Sequence, residues 1–296
     1  MVNMKKDMKI INRRQFIGKS ILGLGSAALL SQFPIISHAD IVSSHPRHPV
    51  GFHVYPIREI LVKDFSGTLK MMAKLGYQEV EMCSPSGYAV SGFEPLVKMK
   101  PVTMHKIITE AGLNCESSHF TFIELKDTLS ERIEFANKLG LKQMIVSGFG
   151  LSQESVMNDW LKAADQLNEI GVKTKKAGIQ LGFHNHDTEF EKIDGEIIYD
   201  KLLNQFDPEL IKMQFDVAVI SKGVKAATFF AKYPDRFISA HLADWSSSEN
   251  KQVPIGTGVV DWGEFYNAAE LGGVKNFFVD MDMDNLKDSA ANIHAM

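Results

Sequence analysis

Cysteine is almost absent from this chain. Cys83 and Cys115 form no Cys-x-x-Cys pair and are too few for a disulfide framework. Two free thiols near strand ends are expected, with a single bridge after export as the alternative. No Gly-x-Gly-x-x-Gly follows the first predicted strand, which argues against a dinucleotide-binding sheet. A basic stripe is also missing. The net charge is −4, yet within residues 1–39 Lys5, Lys6, Lys9, Arg13, Arg14 and Lys19 face Asp7 alone, leaving 26 basic and 35 acidic residues in the remainder. Phosphate backbones repel such a surface, so nucleic acid is not an expected partner. What is present suits one sizeable core: 296 residues, 45% hydrophobic, 23% charged and 9% aromatic, with no linker-like break.

The basic start leads into Asn12-Arg13-Arg14-Gln15-Phe16-Ile17-Gly18-Lys19 and then the apolar run Ile21–Leu30. A positive region, a twin arginine and an apolar stretch too short for a mature spanning helix read as a twin-arginine export signal. Ser37-His38-Ala39 puts small residues at the cleavage positions. The expected division is a signal peptide over 1–39 and a mature barrel domain over 40–296. The expected location is the periplasm, without stable membrane association after cleavage. An uncleaved anchor is the alternative. The twin-arginine route usually carries proteins that fold or load a cofactor before crossing.

From Pro49 onward, short β-rich runs alternate with longer stretches of helical period. The predicted strands are Val50–Val54, Tyr77–Met82, Asn114–His119, Gln143–Ser147, Gln180–Asn185, Leu210–Asp216, Phe237–His241 and Lys275–Asp280. Between them, stripes such as Trp160, Ala163, Ala164, Leu167, Ile170 and Gly171 recur at three- and four-residue steps. Glycine stops at Gly76, Gly112, Gly140 and Gly178 precede the next strand. Eight strands each followed by a helix predict a parallel sheet closed into a single (β/α)8 TIM barrel, an α/β fold. The runner-up is an open doubly wound sheet. About sixteen residues follow Asp280, so the last helix is expected to be short or truncated.

The active site of such a barrel lies at the C-terminal ends of its strands. Standing there are His53, Glu81, His119, His184-Asn185-His186, Asp216, His241, Asp244 and Asp280. Neutral imidazole and carboxylate are the ligand set of Zn, Mn, Fe or Co. Such a cation, chelated by adjacent sugar oxygens, acidifies the C–H beside a carbonyl by stabilising the enediolate. Each residue also has a plainer role: Asp216 suits a helix N-cap, His184 and His186 suit a polar surface loop, and Glu81 suits a cap on the loop after strand two. Convergence of several strand ends on one mouth favours the metal site. His53 is expected as a wall or substrate contact, together with Asn185 and Asp244.

Several segments resemble the sugar phosphate isomerase/epimerase group of the xylose-isomerase-like barrels, particularly exported members. They are Glu79-Val80-Glu81-Met82, Ser117-Ser118-His119, Phe183 through Phe190, Phe215-Asp216, His241-Leu242-Ala243-Asp244, Gly256-Thr257-Gly258 with Asp261-Trp262, and Phe278 through Asp282. The resemblance implies one divalent cation (Mn, Zn or Co) held by His184, Asp216, His241 and Asp280. Histidine at 184 and aspartate at 280 replace two glutamates that shuttle the proton in ketose epimerases. The base is therefore left open among His186, His119 and Glu81. Three readings follow. The first is a metal-dependent isomerase or epimerase of a sugar or keto-sugar. The second is a lyase or hydratase acting next to a ketone of a keto-sugar or 3-keto-glycoside. The third is a non-catalytic sugar-binding barrel. A small sugar is the expected partner, and a homo-oligomer is compatible with the group. The resembling apurinic endonucleases are set aside on charge and because Val217-Ala218-Val219 lacks their histidine.

Overall fold

Every predicted strand is present within two residues of its expected ends. The computed structural model describes residues 49–152 and 154–295, so the export signal and the boundary at 39 lie outside the described residues. The barrel strands are β1 (Val50–His53), β2 (Glu79–Cys83), β3 (Asn114–Phe120), β4 (Gln143–Val146), β5 (Gln180–His184), β6 (Ile211–Asp216), β7 (Phe237–Leu242) and β8 (Asn276–Val279). Each pairs in parallel with its chain neighbours, and β8 returns to β1 to close the barrel. Closure leaves no edge unpaired among the eight barrel strands.

The helices are α1 (Arg58–Lys63), α2 (Phe65–Lys74), α3 (Pro101–Glu110), α4 (Phe122–Leu139), α5 (Met157–Lys176), α6 (Ile198–Gln205), α7 (Ala226–Lys232), α8 (Trp262–Gly272) and α9 (Met283–Ala295). α5 buries the stripe its sequence announced, Trp160, Ala163, Ala164, Leu167, Ile170 and Gly171, with Thr174 added. α4 starts on a capping box, in which Thr121 and Glu124 satisfy each other's backbone N–H, and ends on Gly140 at φ 89°. The last helix, α9, takes thirteen residues, fewer than α4 and α5 but more than α6, α7 or α8. No helix among the described residues is long and apolar enough to cross a membrane. Cys83 and Cys115 are both free and buried.

Strand alternation sorts the residues into two environments. Phe52, Val80, Met144, Leu181, Phe183, Met213, Phe215, Leu242 and Phe277 are buried in the apolar core that the strands share with the helices. There Phe215 meets Phe230 of α7 at 5.5 Å and Phe183 meets Phe206 at 5.4 Å. The alternate positions fill the barrel lumen, and most of them are polar: Glu81, Ser117, His119, His184, Gln214, Ser239 and His241, all buried.

Gly51 shows how tightly the lumen closes. A Cβ there would lie 2.6 Å from Phe278 Cδ1 and 2.7 Å from the Glu79 carbonyl oxygen. The carbonyl is backbone of the paired strand and cannot turn away. Gly51→Ala is expected to destabilise the fold by about 1–3 kcal/mol through overpacking, read as a lower urea midpoint at unchanged slope. An unaltered midpoint would mean that β1 can shift outward.

Candidate active site

Glu81 occupies the middle of the lumen with no exposed surface. Its Oε1 accepts from Ser117 Oγ at 2.6 Å and from Gln214 Nε2 at 2.8 Å. Its Oε2 faces His241 Nε2 at 2.5 Å and His119 Nε2 at 3.3 Å. The rings of His119 and His241 lie parallel, 2° apart in plane with centroids 5.1 Å apart. Asp280 sits above them, with Oδ1 2.9 Å from His53 Nδ1 and Oδ2 3.3 Å from His241 Nδ1. His53 Nε2 lies 3.4 Å from Cys83 Sγ.

Burial alone would push the Glu81 carboxyl up, but the imidazoles of His119 and His241 outweigh it and hold it well below the usual range. Asp280 is held down in the same way by His241 and His53. His241 would be pushed down by burial, yet Asp280 and Glu81 flank it and raise it to about 10. His53 goes the other way, to about 4, through burial and the neighbouring His119.

Three groups bring ligand atoms within 4.8 Å of one another: His119 with His184 and His241; His53 with His241 and Asp280; His53 with Glu81 and His119. His241 Nδ1 is fully buried and makes no hydrogen bond, although a carboxylate oxygen stands 3.3 Å away. Imidazole and carboxylate atoms gathered this closely fit a divalent cation, so the donor set suits the metal that the resemblance implies.

A model of the xylose isomerase-like TIM barrel family matches residues 69–293. The chain belongs to that family. Inosose dehydratase of Bacillus cereus (strain AH820) is 27% identical over 164 residues, 48% of this chain and 54% of that protein. Inosose dehydratase of Lacticaseibacillus casei is 27% identical over 188 residues, 56% of this chain and 62% of that protein. The chain thus spans roughly half the length of the curated relatives it matches. A sugar phosphate isomerase/epimerase from Parabacteroides distasonis ATCC 8503 superposes with a TM-score of 0.70 at 22% identity, covering 84% of this chain and 94% of that one. The IOLI protein, whose structure holds a zinc atom, superposes with a TM-score of 0.63 at 13% identity, covering 83% of this chain and 93% of that one. At these identities the structural likeness concerns the fold.

In this xylose isomerase-like barrel, three of the four expected ligands, His184, His241 and Asp280, fall in the close groups. Asp216 does not. Its Oδ1 accepts from Ala218 N at 2.9 Å and caps the 3-10 turn Val217–Lys222, while burial and Asp280 push its carboxyl up to about 7. Glu81 and His119, two of the three candidates for the base, also stand in these close groups. Asn185 is fully buried; its Oδ1 accepts from Asp216 N at 3.1 Å, and its Nδ2 is unpartnered. Asp244, expected to touch substrate, is a loop anchor. Its carboxylate accepts from the backbone N–H groups of Trp245, Gly256, Gly258 and Val260 and from Trp262 Nε1, at 2.9–3.1 Å. Those five donors engage both of its oxygens. Gly258 has to be glycine here, since a Cβ would meet Asp244 Oδ1 at 2.1 Å.

Sequence reasoning missed Gln214 and gave no role to Ser117 or Ser239. The signal was there as polar residues on the lumen side of strands that are otherwise apolar. It also missed an aromatic wall after β1 and β2, where Tyr55 stacks near Phe93 at 6.5 Å and meets Tyr88 edge-on at 5.9 Å.

His186 stands at the exposed rim, 4.9 Å from the His184 ring centre. Its backbone N–H donates to Glu189 Oε2 at 2.8 Å. Glu189 is buried, and burial pushes its carboxyl from 4.5 up to about 7. The folded chain keeps this proton at pH values where the unfolded chain has released it. The stabilisation is therefore full below about pH 4.5 and is lost as the pH rises through about 7. Glu189→Gln is expected to remove this slope, gaining on the order of 3 kcal/mol over wild type at the alkaline end. Urea unfolding of both proteins between about pH 5 and pH 8 checks it, and parallel profiles would refute it.

Proposed function

We propose that this chain is a metal-dependent enzyme that removes the proton next to a carbonyl of a sugar or keto-sugar, as an isomerase or epimerase. The observation carrying this reading is the convergence of four imidazoles and two carboxylates, His53, His119, His184, His241, Glu81 and Asp280, in overlapping groups whose ligand atoms lie within 4.8 Å. His119, His184, His241 and Asp280 are the residues that would hold Mn, Zn or Co. When bound, such an ion draws electron density from a sugar carbonyl and its neighbouring hydroxyl, which acidifies the C–H beside them.

The remaining work falls to the chain's own groups. Glu81 is a poor base in this arrangement, because both its oxygens are engaged by protein donors. Its part is to hold His241 and the Gln214 amide. His186 is the base in this reading: it lies at the exposed rim with its ring centre 4.9 Å from that of His184. A ring nitrogen of His186 takes the proton from the substrate carbon and returns it to the neighbouring carbon on the same face, whereas epimerisation calls for a second proton donor on the opposite face. Tyr55, 37% exposed and stacked 6.3 Å from His53, offers a flat apolar surface to the C–H face of a sugar ring.

A second reading, loss of water next to a ketone, is favoured by the inosose dehydratase relatives. It begins with the same proton removal and diverges when a neighbouring hydroxyl leaves. We also propose export by the twin-arginine route to the periplasm, resting on Arg13, Arg14 and the apolar run after them. That location favours non-phosphorylated substrates.

Elemental analysis of the purified chain, reconstituted separately with Mn, Zn and Co, is expected to find about one metal per chain in wild type and a loss of metal and activity together in His241→Ala and His184→Ala. Keto-sugar products of unchanged mass identify an isomerase or epimerase, and products lighter by one water identify a dehydratase. No retained metal and no turnover would overturn the enzyme reading in favour of a sugar-binding barrel.

A further inference from the structure

Gln214 lies in the middle of β6 with no exposed surface, and its side chain reaches four partners from four other strands. Its Nε2 donates to Glu81 Oε1 at 2.8 Å and to Ser239 Oγ at 3.0 Å. Its Oε1 accepts from His119 Nε2 at 2.7 Å and from His184 Nδ1 at 3.0 Å. A primary amide has two N–H donors and two lone pairs on its oxygen, so every place is filled.

The neighbours decide which end of the amide points which way. Glu81 Oε1 already takes the Ser117 hydroxyl at 2.6 Å and acts as an acceptor toward the amide as well. The NH2 end must therefore face Glu81, and the carbonyl end must face the two histidines. A ring nitrogen at hydrogen-bond distance from a carbonyl oxygen must carry a hydrogen. The opposite nitrogens, His119 Nδ1 and His184 Nε2, make no hydrogen bond among the described residues.

The geometry points to Gln214 as a positioning residue that fixes His119 as the Nε2–H tautomer and His184 as the Nδ1–H tautomer, leaving His119 Nδ1 and His184 Nε2 bare for a ligand. The assignment is demanding, because the two rings stand 5.0 Å apart and are set to opposite tautomers by a single oxygen. Nδ1–H is the form that free neutral histidine disfavours in water, so His184 is held against its own preference. Fixing the tautomer of a ligating histidine through its other ring nitrogen raises metal affinity by orienting the lone pair in advance. The benefit to a metal rests on the function proposed above; the tautomers themselves do not.

The test is ring-nitrogen NMR of the full chain labelled with 15N-histidine, before and after zinc is added, with signals assigned through His119→Gln and His184→Gln. Wild type is expected to show pyrrole-like Nδ1 and pyridine-like Nε2 for His184, with the reverse for His119. Gln214→Met keeps the side-chain length and removes the amide. It is expected to turn both rings into tautomer mixtures and to weaken zinc binding about 10–100-fold, while cooperative unfolding is retained. An Nε2–H tautomer at His184 in wild type overturns the inference without recourse to any variant. Unchanged tautomers in a folded Gln214→Met overturn it too. Tautomers as expected in both proteins, without zinc binding in either, would uphold the positioning role and bring down the metal-dependent reading instead.

Discussion

A carboxylate buried without compensation costs several kcal/mol, and Glu81 carries that liability in the centre of the lumen. Much of what surrounds it can be understood as the answer. Ser117 from β3, Gln214 from β6 and His241 from β7 each bring a donor to its oxygens, and His119 stands just beyond. Only a closed barrel lets residues so far apart in the chain meet one side chain from all sides. The partners are themselves polar and buried, so each needs partners of its own. Ser239 and His184 supply them to Gln214, and Asp280 flanks His241. The charge is thus balanced outward through hydrogen bonds and ion pairs until the network reaches the mouth, where solvent or a ligand completes the set.

This organisation explains which parts of the molecule could be read from the sequence. Strands and helices announce themselves through periodicity, since the apolar face of each must meet the shared core. The α5 stripe from Trp160 to Gly171 is buried as its spacing implied. The histidines were visible because imidazole is rare and sat at strand ends. Gln214 was not, since one amide within Ile211–Asp216 looks like an ordinary tolerated polar residue. Its importance comes from partners on four other strands, which only closure assembles. Asp244 was legible only in part, for a complementary reason. Its position three residues after His241 suggested the mouth, but four of its five donors are backbone or indole N–H groups 12–18 residues further on, and backbone donors leave no trace in a sequence. Asp216 kept the plainer of its two roles as far as one oxygen is concerned, as a cap for the turn after β6.

The two sides of the barrel wall obey different rules. Outside it, Phe183 meets Phe206 in a tilted contact and Phe215 meets Phe230 edge to face, contacts that fix distances but no charge. Inside, nearly every contact has a polarity, and reversing one donor forces its neighbours to reverse as well. A rigid apolar jacket therefore holds a polar interior in which the placement of protons, rather than the placement of atoms, is what remains to be set.

The Asp244 anchor grips its loop almost wholly through main-chain N–H groups, with Trp262 contributing its indole N–H. A grip on the main chain does not depend on what the loop displays. Apart from the glycine that must stay small at 258, an exposed position such as Val259, held through its backbone N–H, is free to change without loosening the loop, whereas the Thr257 hydroxyl itself donates to the Pro254 carbonyl at 2.7 Å. The barrel thereby separates inheritance of shape from inheritance of taste: descendants could try new rim chemistries one substitution at a time while keeping the same frame.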